Sequence, residues 1–569
     1  MAGRGSLDFS SAVHRGVVLV IAFLLFYVAP LSFRPLYLPD ETRYAEIPRE
    51  MLATGDWVVP RLDGLRYFEK PVLGYWVTAL SISCFGESRF ALRLPCALAT
   101  ALSAVLLILL LRRSDLGSSA LSAAVIFPAI PQVYILGVFN TLDAVFSMFV
   151  TASIVCFYLA LQSGSGRTRI IWLVGAGIAC GLGFLTKGFL AFAIPCLTAV
   201  PFLLWQRRWK ELLTLPWIPL LVALAVSFPW AMIIHLREPD YWRYFIFVEH
   251  LKRFMSPDTK SLHPEPFWFL LPFLIGGAIP WTFAVPAAIR GVCKAGWRHP
   301  LIRYAVCWLF FPFLILSFSR GKLGTYILPC FAPLSLLLAV GLTQSMKGSG
   351  TRSFRAAAWT SAAVAGLIAA VIIATGLFKM PSGPVFAQDE TSKWAVGSAA
   401  CLAWFGLSAA SAFTKRTATS LSLFAIGPLI FMLSTHFVVP RTLTSSRTPE
   451  AFLLRYIGEI APGDQIYSND SLVPAVSWIL KRSDIEILRG GGEFRYGLNY
   501  PDTIGRQVGI DALVEQIEDH NRTRKIILLV QSNVYSSTQS YLPEADQTDK
   551  ADGFVMMKYA GRLEASRTP

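Results

Sequence analysis

Long apolar runs alternate with short polar connections over about the first 440 residues of the chain. A membrane-spanning helix needs about 20 consecutive apolar residues, and about 13 runs approach that length. They are approximately 16–33, 90–111, 119–136, 142–161, 170–185, 189–205, 215–234, 267–289, 301–318, 326–342, 356–378, 394–413 and 421–439. The pattern predicts an α-helical polytopic membrane protein with about 13 transmembrane helices.

The charges of the connections predict an orientation. Alternate connections are short, basic and almost free of acids, as expected for cytoplasmic loops. Their basic residues are Arg112, Arg113, Arg167, Arg169, Arg207, Arg208, Lys210, Arg290, Lys294, Arg298, Lys347, Arg352, Arg355, Lys415 and Arg416. The first run lacks a following cleavage signal, so we expect an uncleaved anchor with a cytoplasmic N-terminus. An odd number of spans then places loops 34–89 and 236–266 and the tail outside, which in a bacterium is the periplasm.

Composition supports this class and argues against others. Of 569 residues, 54% are hydrophobic and only 15% are charged, against roughly 25% charged in soluble domains. The formal net charge of +15 comes from basic residues scattered between apolar runs, which indicates topology signals and anionic lipid rather than nucleic acid. All nine cysteines lie at or before Cys401, without a CxxC zinc pattern. We therefore expect no disulfide framework and no zinc ribbon.

The first long external loop combines both signs of charge with aromatic residues, which is typical of a site held at a membrane surface. Asp40 follows a proline and precedes a helical pattern, so capping the helix would explain it. Pro48 is expected to kink or end that helix. Asp40, Glu41 and Arg43 nevertheless lie only a few residues beyond a span, where ionisable groups are candidates for function.

Further candidates lie at other external turns. Lys70, beside Glu69, is either a lysine that extends to the interface or a point charge for a phosphate. Asp143 either caps the fourth span or takes part in function. Lys322 and Tyr326 lie in a short loop that suits a phosphate, although loop cations are also ordinary interfacial anchors. The remaining candidates at external turns are Lys187, His250 and Arg253; His250 has no partner at metal-ligand spacing.

The tail, 441–569, is predicted to be a small α/β domain separate from the transmembrane domain, 1–440. Short strands are expected at 465–467, 485–488, 525–530 and 554–559, with helices from Pro449, near 471–480 and at 510–520. Alternating helices and strands indicate an α/β layer. A packing or lid role is favoured for it, and contact with substrate is the alternative.

Physical reasoning from these residues favours an enzyme that acts on an amphipathic anionic substrate at the outer leaflet. It leaves a transporter open. A transporter should show helices broken near the midplane and paired repeats, and neither is evident in the sequence.

Eight motifs then make the chain recognisable. It resembles the bacterial lipid A aminoarabinose transferases, within the protein-mannosyltransferase-like superfamily of polyprenyl-phosphate-dependent glycosyltransferases. The motifs are PDETRYAEIPREML (39–52), GDWVVP (55–60), GLRYFEKP (64–71), TKGFLA (186–191), REPDYW (237–242), VEHLKRF (248–254), GKLGTYIL (321–328) and YGLNYPD (496–502). They extend from the first loop into the tail, and the tail motif distinguishes this family from relatives that share only the membrane half.

The resemblance implies a fold and a reaction. The fold would be a multi-span helical bundle of GT-C type with interfacial helices and a small C-terminal periplasmic α/β domain. The enzyme would transfer 4-amino-4-deoxy-L-arabinose from undecaprenyl phosphate to lipid A, with inversion at the sugar carbon, on the periplasmic side of the inner membrane. The added amine would offset phosphate charge and give resistance to polymyxin and other cationic peptides.

Residue roles follow from the same resemblance. Lys70 would stabilise the leaving phosphate, helped by Tyr326, Arg253 and Arg43, and Asp40 matches the candidate catalytic carboxylate. Because the acceptor phosphate oxygen is already anionic, a strong base is scarcely needed. Two alternatives stay open: Asp40 acts as a general base, or Asp40 or Asp143 binds the sugar ammonium or stabilises positive charge on the ring. We expect Glu41, Lys187 and Lys322 among the substrate-binding residues.

No cofactor is firmly required by the resemblance, and a divalent metal at Glu69 and His250 is left open. Two positions depart from the family pattern. Gly324 stands where proline is expected, which loosens the turn before Tyr326, and Pro48 stands where a helix former is expected.

Three alternatives remain: transfer of another sugar to lipopolysaccharide, protein O-mannosylation, and a lipid flippase or transporter that uses the same cavity without chemistry.

Overall fold

Helices account for most of the membrane part of the chain. The computed structural model describes residues 3–252, 265–347, 351–378 and 384–561. In these ranges, ten helices are long and apolar enough to cross a membrane: Val13–Ser32, Arg89–Arg112, Asp143–Gln162, Arg167–Lys187, Trp209–Arg237, Pro300–Phe318, Gly324–Met346, Arg352–Leu377, Gln388–Phe413 and Thr417–Val438. This confirms a multi-pass membrane protein.

Three predicted runs are not straight spanning helices. Gly117–Ala129 and Pro131–Gly137 meet at 64°, and Phe267–Gly277 and Trp281–Ala295 meet at 89°. With each bent pair counted as one span, the described residues contain up to 12 candidate spans, against the predicted number of about 13. The remaining run is Leu190–Trp205, an apolar helix of 16 residues, which is short for the hydrocarbon core unless the bilayer thins around it.

Contacts between residues divide the chain into two units, which we describe separately. The helical unit comprises Met1–Arg34 and Arg93–Val439, and the sheet unit comprises Pro35–Leu92 and Pro440–Pro569. The first external loop therefore groups with the tail in its contacts. The functional division into 1–440 and 441–569 stays a prediction.

Close helix packing organises the interior of the helical unit. The helices Trp281–Ala295 and Leu328–Met346 cross where Gly291 faces Gly341. A Cβ atom on Gly291 would collide with the carbonyl of Gly341, so only small residues permit this approach. Some buried polar side chains of this unit donate to backbone carbonyls, which lowers the cost of burying them in a membrane. For example, the buried Tyr304 hydroxyl donates to the Ile154 carbonyl at 2.9 Å.

The sheet unit starts with the external loop. A helix, Asp40–Thr54, is followed by a hairpin of β1 (Arg61–Leu62) and β2 (Leu65–Arg66) and by the helix Leu73–Phe85. The helix Asp40–Thr54 continues through Pro48 for six more residues, so the helix does not end at Pro48, and a kink there stays a prediction. It ends at Gly55, whose φ of 70° is the left-handed conformation favoured after a helix.

The tail part of this unit contains a six-stranded mixed sheet. The strands are β3 (Gln465–Asn469), β4 (Glu486–Leu488), β5 (Gln507–Val508), β6 (Ile526–Gln531), β7 (Gln547–Ala551) and β8 (Phe554–Tyr559). Their order is β5-β4-β3-β6-β8-β7, with parallel pairing from β5 to β6 and antiparallel pairing at β8 and β7. Tyr467 of β3 pairs with Leu528 of β6.

Helices connect these strands. They are Glu450–Leu454, Val473–Leu480, Ile510–Glu518 and Ser532–Thr538. The helix Ile510–Glu518 buries Leu513 and Ile517 against the sheet. The predicted α/β layer is confirmed, and its predicted strands correspond to β3, β4, β6 and β8. The strands β5 and β7 and the last helix were not predicted, and the first helix begins one residue later than predicted.

Candidate active site

The turn of the β1–β2 hairpin is held by buried contacts within the sheet unit. Asp63 is fully buried, and its carboxylate accepts from Arg506 at 2.7 Å, Ser477 at 3.1 Å and the backbone N–H of Ile485 at 3.1 Å. Gly64 follows with φ of 74°, and a Cβ there would lie 2.8 Å from the Ser483 carbonyl. Asp63 and Gly64 therefore anchor the external loop to the tail.

The YGLNYPD motif of the tail packs on the same hairpin. Gly497 lies so close that a Cβ would be 2.7 Å from the carbonyl of Arg66. The Arg66 guanidinium forms two hydrogen bonds with Asp502, at 3.0 and 2.8 Å, and lies 4.1 Å from the ring centre of Tyr500. Tyr496 packs against Phe68 at 5.4 Å. The motif therefore shapes the loop that carries the candidate residues.

Arg43 lies between two carboxylates in the sheet unit. Its nearly buried guanidinium pairs with Asp40 and with Glu493. The side chains of Asp40 and Glu493 are 46% and 43% exposed, so both carboxylates remain accessible. The Tyr67 hydroxyl donates to Glu69 at 3.1 Å and is 3.4 Å from Glu493. Burial raises the pKa of Tyr67 well above its usual range, although the charge of Arg43 opposes this, so the hydroxyl keeps its proton.

The expected capping role of Asp40 is wrong. The helix begins at Asp40 itself, Pro39 occupies the capping position, and no side chain there makes a capping hydrogen bond. The Asp40 carboxylate is instead directed to Arg43, one turn along the helix. As an acid in the first helical turn it still interacts favourably with the helix dipole.

Lys70 and Glu41 have defined positions in the same unit. Lys70 is 9% exposed, and its ammonium donates to the Glu69 carbonyl at 2.8 Å. Glu41 is fully buried and accepts from the Tyr37 backbone N–H at 3.1 Å. Glu41 thus holds the backbone that precedes the helix. The substrate-binding role of Glu41 and the phosphate-binding role of Lys70 stay predictions.

The helical unit contains a second charged cluster. Lys187, at the end of the helix Arg167–Lys187, pairs with Asp143 at 2.5 Å, and its ammonium is 4.4 Å from the ring centre of Tyr326. Asp143 is the first residue of its helix, and the preceding position makes no side-chain capping bond. The capping interpretation of Asp143 is therefore wrong as well. The carboxylate, the ammonium and the aromatic face form one compact group.

The departure at Gly324 has a local explanation. A Cβ at Gly324 would collide with the ring of Phe273, a residue of the short helix Leu270–Gly277. The turn before Tyr326 is also held by Gln132, whose amide donates to the Gly324 carbonyl at 3.4 Å. The glycine therefore leaves room for an aromatic ring, and the packed ring limits the looseness expected of this turn.

His250 is surrounded by aromatic rings in the helical unit. Its Nδ1 lies 2.7 Å from the Phe245 carbonyl, and its ring centre lies 4.5 Å from that of Phe245 and 5.1 Å from that of Phe189. Gly188, with φ of 85°, makes space for it, since a Cβ there would be 2.8 Å from Nε2. These contacts orient the imidazole.

A divalent metal at Glu69 and His250 stays a prediction. Within the described ranges, no group of three or more His, Cys, Asp or Glu residues is arranged to hold a metal ion. Glu69 belongs to the sheet unit and His250 to the helical unit.

Arg253 lies outside the described residues. Lys322 is buried, and its ammonium donates to the Ser317 carbonyl at 2.5 Å.

Sequence reasoning missed two residues that the structure brings to the loop. Glu493 lies three residues before the YGLNYPD motif, and Asp63 lies in the middle of the external loop. An acid after the Gly490–Gly492 run is a weak signal, because such runs are ordinary turns. For Asp63, the dipeptide Asp63-Gly64 is typical of a hairpin turn, and the φ of 53° at Asp63 agrees with this. The dipeptide does not identify the partners of Asp63, which lie 414 and more residues away.

Comparisons with known proteins cover both units. A family model described as dolichyl-phosphate-mannose-protein mannosyltransferase matches residues 13–245, and one described as the C-terminal domain of arabinosyl transferase ArnT matches residues 444–558. A crystal structure of ArnT from Cupriavidus metallidurans bound to undecaprenyl phosphate aligns with a TM-score of 0.81. At 23% identity, it covers 96% of this chain and 98% of its own. It shows that the GT-C fold is shared.

Curated relatives are more similar in sequence. The undecaprenyl phosphate-alpha-4-amino-4-deoxy-L-arabinose arabinosyl transferase of Aeromonas salmonicida is 38% identical over 549 residues, which cover 95% of this chain and 98% of the relative. The protein of the same description from Edwardsiella ictaluri is 38% identical over 548 residues, with 95% and 98% covered. That from Pseudomonas aeruginosa is 39% identical over 494 residues, with 86% and 88% covered.

Proposed function

The chain belongs to the family of undecaprenyl phosphate-alpha-4-amino-4-deoxy-L-arabinose arabinosyl transferases, and from this we propose that it transfers 4-amino-4-deoxy-L-arabinose from undecaprenyl phosphate to a phosphate of lipid A. The similarity over 95% of the chain carries this proposal. The reaction would take place at the periplasmic face of the bacterial inner membrane. The added amine would lower the affinity of lipid A for polymyxin and other cationic peptides.

The charges of this reaction balance without a proton transfer. The bond between the sugar C1 and the undecaprenyl phosphate oxygen breaks, and that phosphate leaves with the electron pair. A lipid A phosphate oxygen forms the new bond to C1. One phosphodiester becomes a monoester while one monoester becomes a diester, so the nucleophile arrives already ionised. A general base would therefore contribute little, and electrostatic stabilisation of the leaving phosphate becomes the main task.

In the sheet unit, Lys70 is our candidate for that stabilisation. Its ammonium is compact and desolvated, and a hydrogen bond to the Glu69 carbonyl helps to fix its position. A fixed cation in a site that excludes water interacts more strongly with a developing dianion than one in solution. Arg43 supplies a second cation, and its two carboxylate partners hold it in place.

Asp40 is our candidate for the opposite charge. Its carboxylate is about half exposed and pairs with Arg43, so it can also accept a hydrogen bond from the donor sugar ammonium. The same carboxylate would stabilise positive charge that develops on the sugar ring as the leaving bond lengthens. We propose that three residues of the helical unit also take part in the transfer. Asp143 and Lys187 would contribute their charges, and Tyr326 would contribute its aromatic face. We also propose inversion at C1, because a single displacement needs no covalent intermediate.

Mass spectrometry of lipid A is the decisive experiment. Cells that express the chain in a background without a related gene should gain a lipid A species that carries aminoarabinose, and cells without it should not. Purified enzyme should add the sugar to lipid A at a rate proportional to enzyme concentration. Unmodified lipid A in both assays would contradict the proposal. Addition of a different sugar would instead support the alternative of another sugar donor. The same assay with a chelator decides whether a divalent ion is needed.

A further inference from the structure

A cleft in the helical unit combines two cations with one carboxylate. It has a volume of about 490 Å³ and lies where the helix Pro300–Phe318 ends. Arg320 and Lys322 contribute the cations and Glu265 the carboxylate. The backbone N–H of Glu265 donates to the Arg320 carbonyl at 3.0 Å, which joins the two segments.

The cations of this cleft are suited to a phosphate. Lys322 is 2% exposed, and burial lowers its pKa although the charge of Glu265 opposes this. Within the described residues its ammonium makes one hydrogen bond, to the Ser317 carbonyl, which leaves two of its three donors for a ligand. Arg320 is exposed and forms no ion pair within those residues. A buried cation with unused donors gains more from an anion than a solvated one does.

A buried hydroxyl also lines the cleft without a partner. The Ser317 side chain is 1% exposed, and its oxygen makes no hydrogen bond within the described part of the chain. Leaving such a group unsatisfied is costly, and a ligand oxygen would satisfy it. This observation is independent of the charges and indicates a polar occupant.

The edge of the cleft is suited to lipid chains. Phe267 and Phe318 are 50% and 58% exposed, and their ring centres are 4.9 Å apart. Exposed aromatic residues at the ends of spans are typical of the level of the lipid headgroups. A ligand would therefore place its charged group in the cleft and its chains beside the two rings.

We propose that this cleft binds the headgroup of a membrane lipid that carries both a phosphate and an ammonium group. Arg320, Lys322 and Ser317 bind the phosphate, and Glu265 binds the ammonium. Two sources have this chemistry: bulk phosphatidylethanolamine and the lipid-linked aminosugar of the proposed reaction. A purely anionic headgroup would leave Glu265 facing a negative charge, which disfavours it.

Native mass spectrometry of the full chain in detergent tests this binding without an acceptor, so its outcome is separate from that of the transfer reaction. Phosphatidylethanolamine should bind several-fold more tightly than phosphatidylglycerol. Arg320→Gln should weaken binding of both lipids by about tenfold, as for one lost charge-assisted hydrogen bond. Glu265→Gln should weaken phosphatidylethanolamine alone. Lys415→Gln, which removes an exposed cation of the same unit, is the control and should change neither.

Two results would overturn the proposal. One is binding by Arg320→Gln that equals binding by the control Lys415→Gln. The other is a preference of the unaltered chain for phosphatidylglycerol. If binding follows the proposal, competition identifies the source: displacement of phosphatidylethanolamine by the lipid-linked aminosugar assigns the cleft to the substrate, and retention assigns it to the bulk lipid.

Discussion

The two charged clusters hold their cations in different ways. Among the residues that the structure describes, Lys187 of the helical unit has one carboxylate partner, Asp143, from a neighbouring helix. Arg43 of the sheet unit has two in the same ranges: Asp40 from the same helix and Glu493 from the tail. Removal of Asp143 should therefore leave Lys187 as a buried unpaired charge. Arg43 should keep one partner when either of its two acids is removed. The first cluster therefore relies on a single ion pair, whereas the second keeps an ion pair when either acid is removed.

The largest expected effect is on the stability of the first cluster. Lys187→Met or Asp143→Asn leaves one nearly buried charge without its partner, which costs about 3–5 kcal/mol. The double variant removes both charges and should regain most of this stability. Thermal unfolding of the three purified variants measures the difference. A double variant as unstable as the singles would show that the pair contributes by packing rather than by charge.

Loss of Lys70 should affect catalysis rather than folding. Lys70→Ala should lower the transfer rate by about 10²–10³-fold, as removal of one fixed charge-stabilising donor typically does. Lys481→Ala is the control, because Lys481 also belongs to the sheet unit but forms an exposed ion pair with Glu87. Both variants should be produced in near-normal amounts. Near-normal transfer by Lys70→Ala would exclude its phosphate role.

Sequence patterns predicted the helical unit more completely than the sheet unit. Periodicity and run length found each span, because a membrane helix satisfies its own backbone and its signal is local. The bends at Pro131 and near Trp281 were missed, because a proline within an apolar run does not by itself fix a bend angle. In the tail, strands such as β6 were found from apolar runs, whereas the polar edge strand β7, QTDKA, has no such run.

The candidate site shows the same limit. Asp40, Asp143, Lys70 and Lys187 were found because they stand near span ends or in motifs. The partner of Arg43 in the tail could not be found, since Glu493 is 450 residues away along the chain and only the fold brings it close. The capping interpretations of Asp40 and Asp143 were wrong for a related reason. Each carboxylate pairs with a cation one turn or one helix away instead of with a backbone N–H, and local propensity does not include such partners.

Replacement of Asp63, which anchors the hairpin, should have an effect of intermediate size on stability. Asp63→Asn keeps a residue that tolerates positive φ and keeps an acceptor for Ser477 and Ile485, but it removes the charge that pairs with Arg506. We expect a loss of about 1.5–3 kcal/mol in stability, the range for a hydrogen bond to a charged group. Thermal unfolding and limited proteolysis of the external loop report it. Unchanged stability would mean that Gly64 and the motif contacts suffice to hold the hairpin.

The two partners of Arg43 can be separated by a double-mutant cycle. Glu493→Gln should reduce transfer by about tenfold, equivalent to about 1.4 kcal/mol, because Arg43 is held less firmly. Asp40→Asn should reduce it further with little change in melting temperature, since Glu493 still pairs with Arg43. Non-additive losses in the double variant would show that both acids act through Arg43. Glu459→Gln, at another tail ion pair, is the control and should be neutral.

The smallest effect is expected at Arg66 and Asp502, the exposed counterpart of the buried Asp63 anchor. Their side chains are 16% and 58% exposed, and exposed ion pairs contribute about 0–1 kcal/mol. The hydrogen bonds from Arg66 lower the pKa of Asp502, so the contribution is present above the ordinary aspartate pKa of about 3.9 and is lost as the pH falls through the lowered value. Asp502→Asn should therefore be slightly less stable than the unaltered chain at pH 7, and the difference should disappear in acid. A loss as large as that of Asp63→Asn, or one independent of pH, would show that the motif holds the hairpin mainly through Asp502, and the contrast between buried and exposed anchors would not hold.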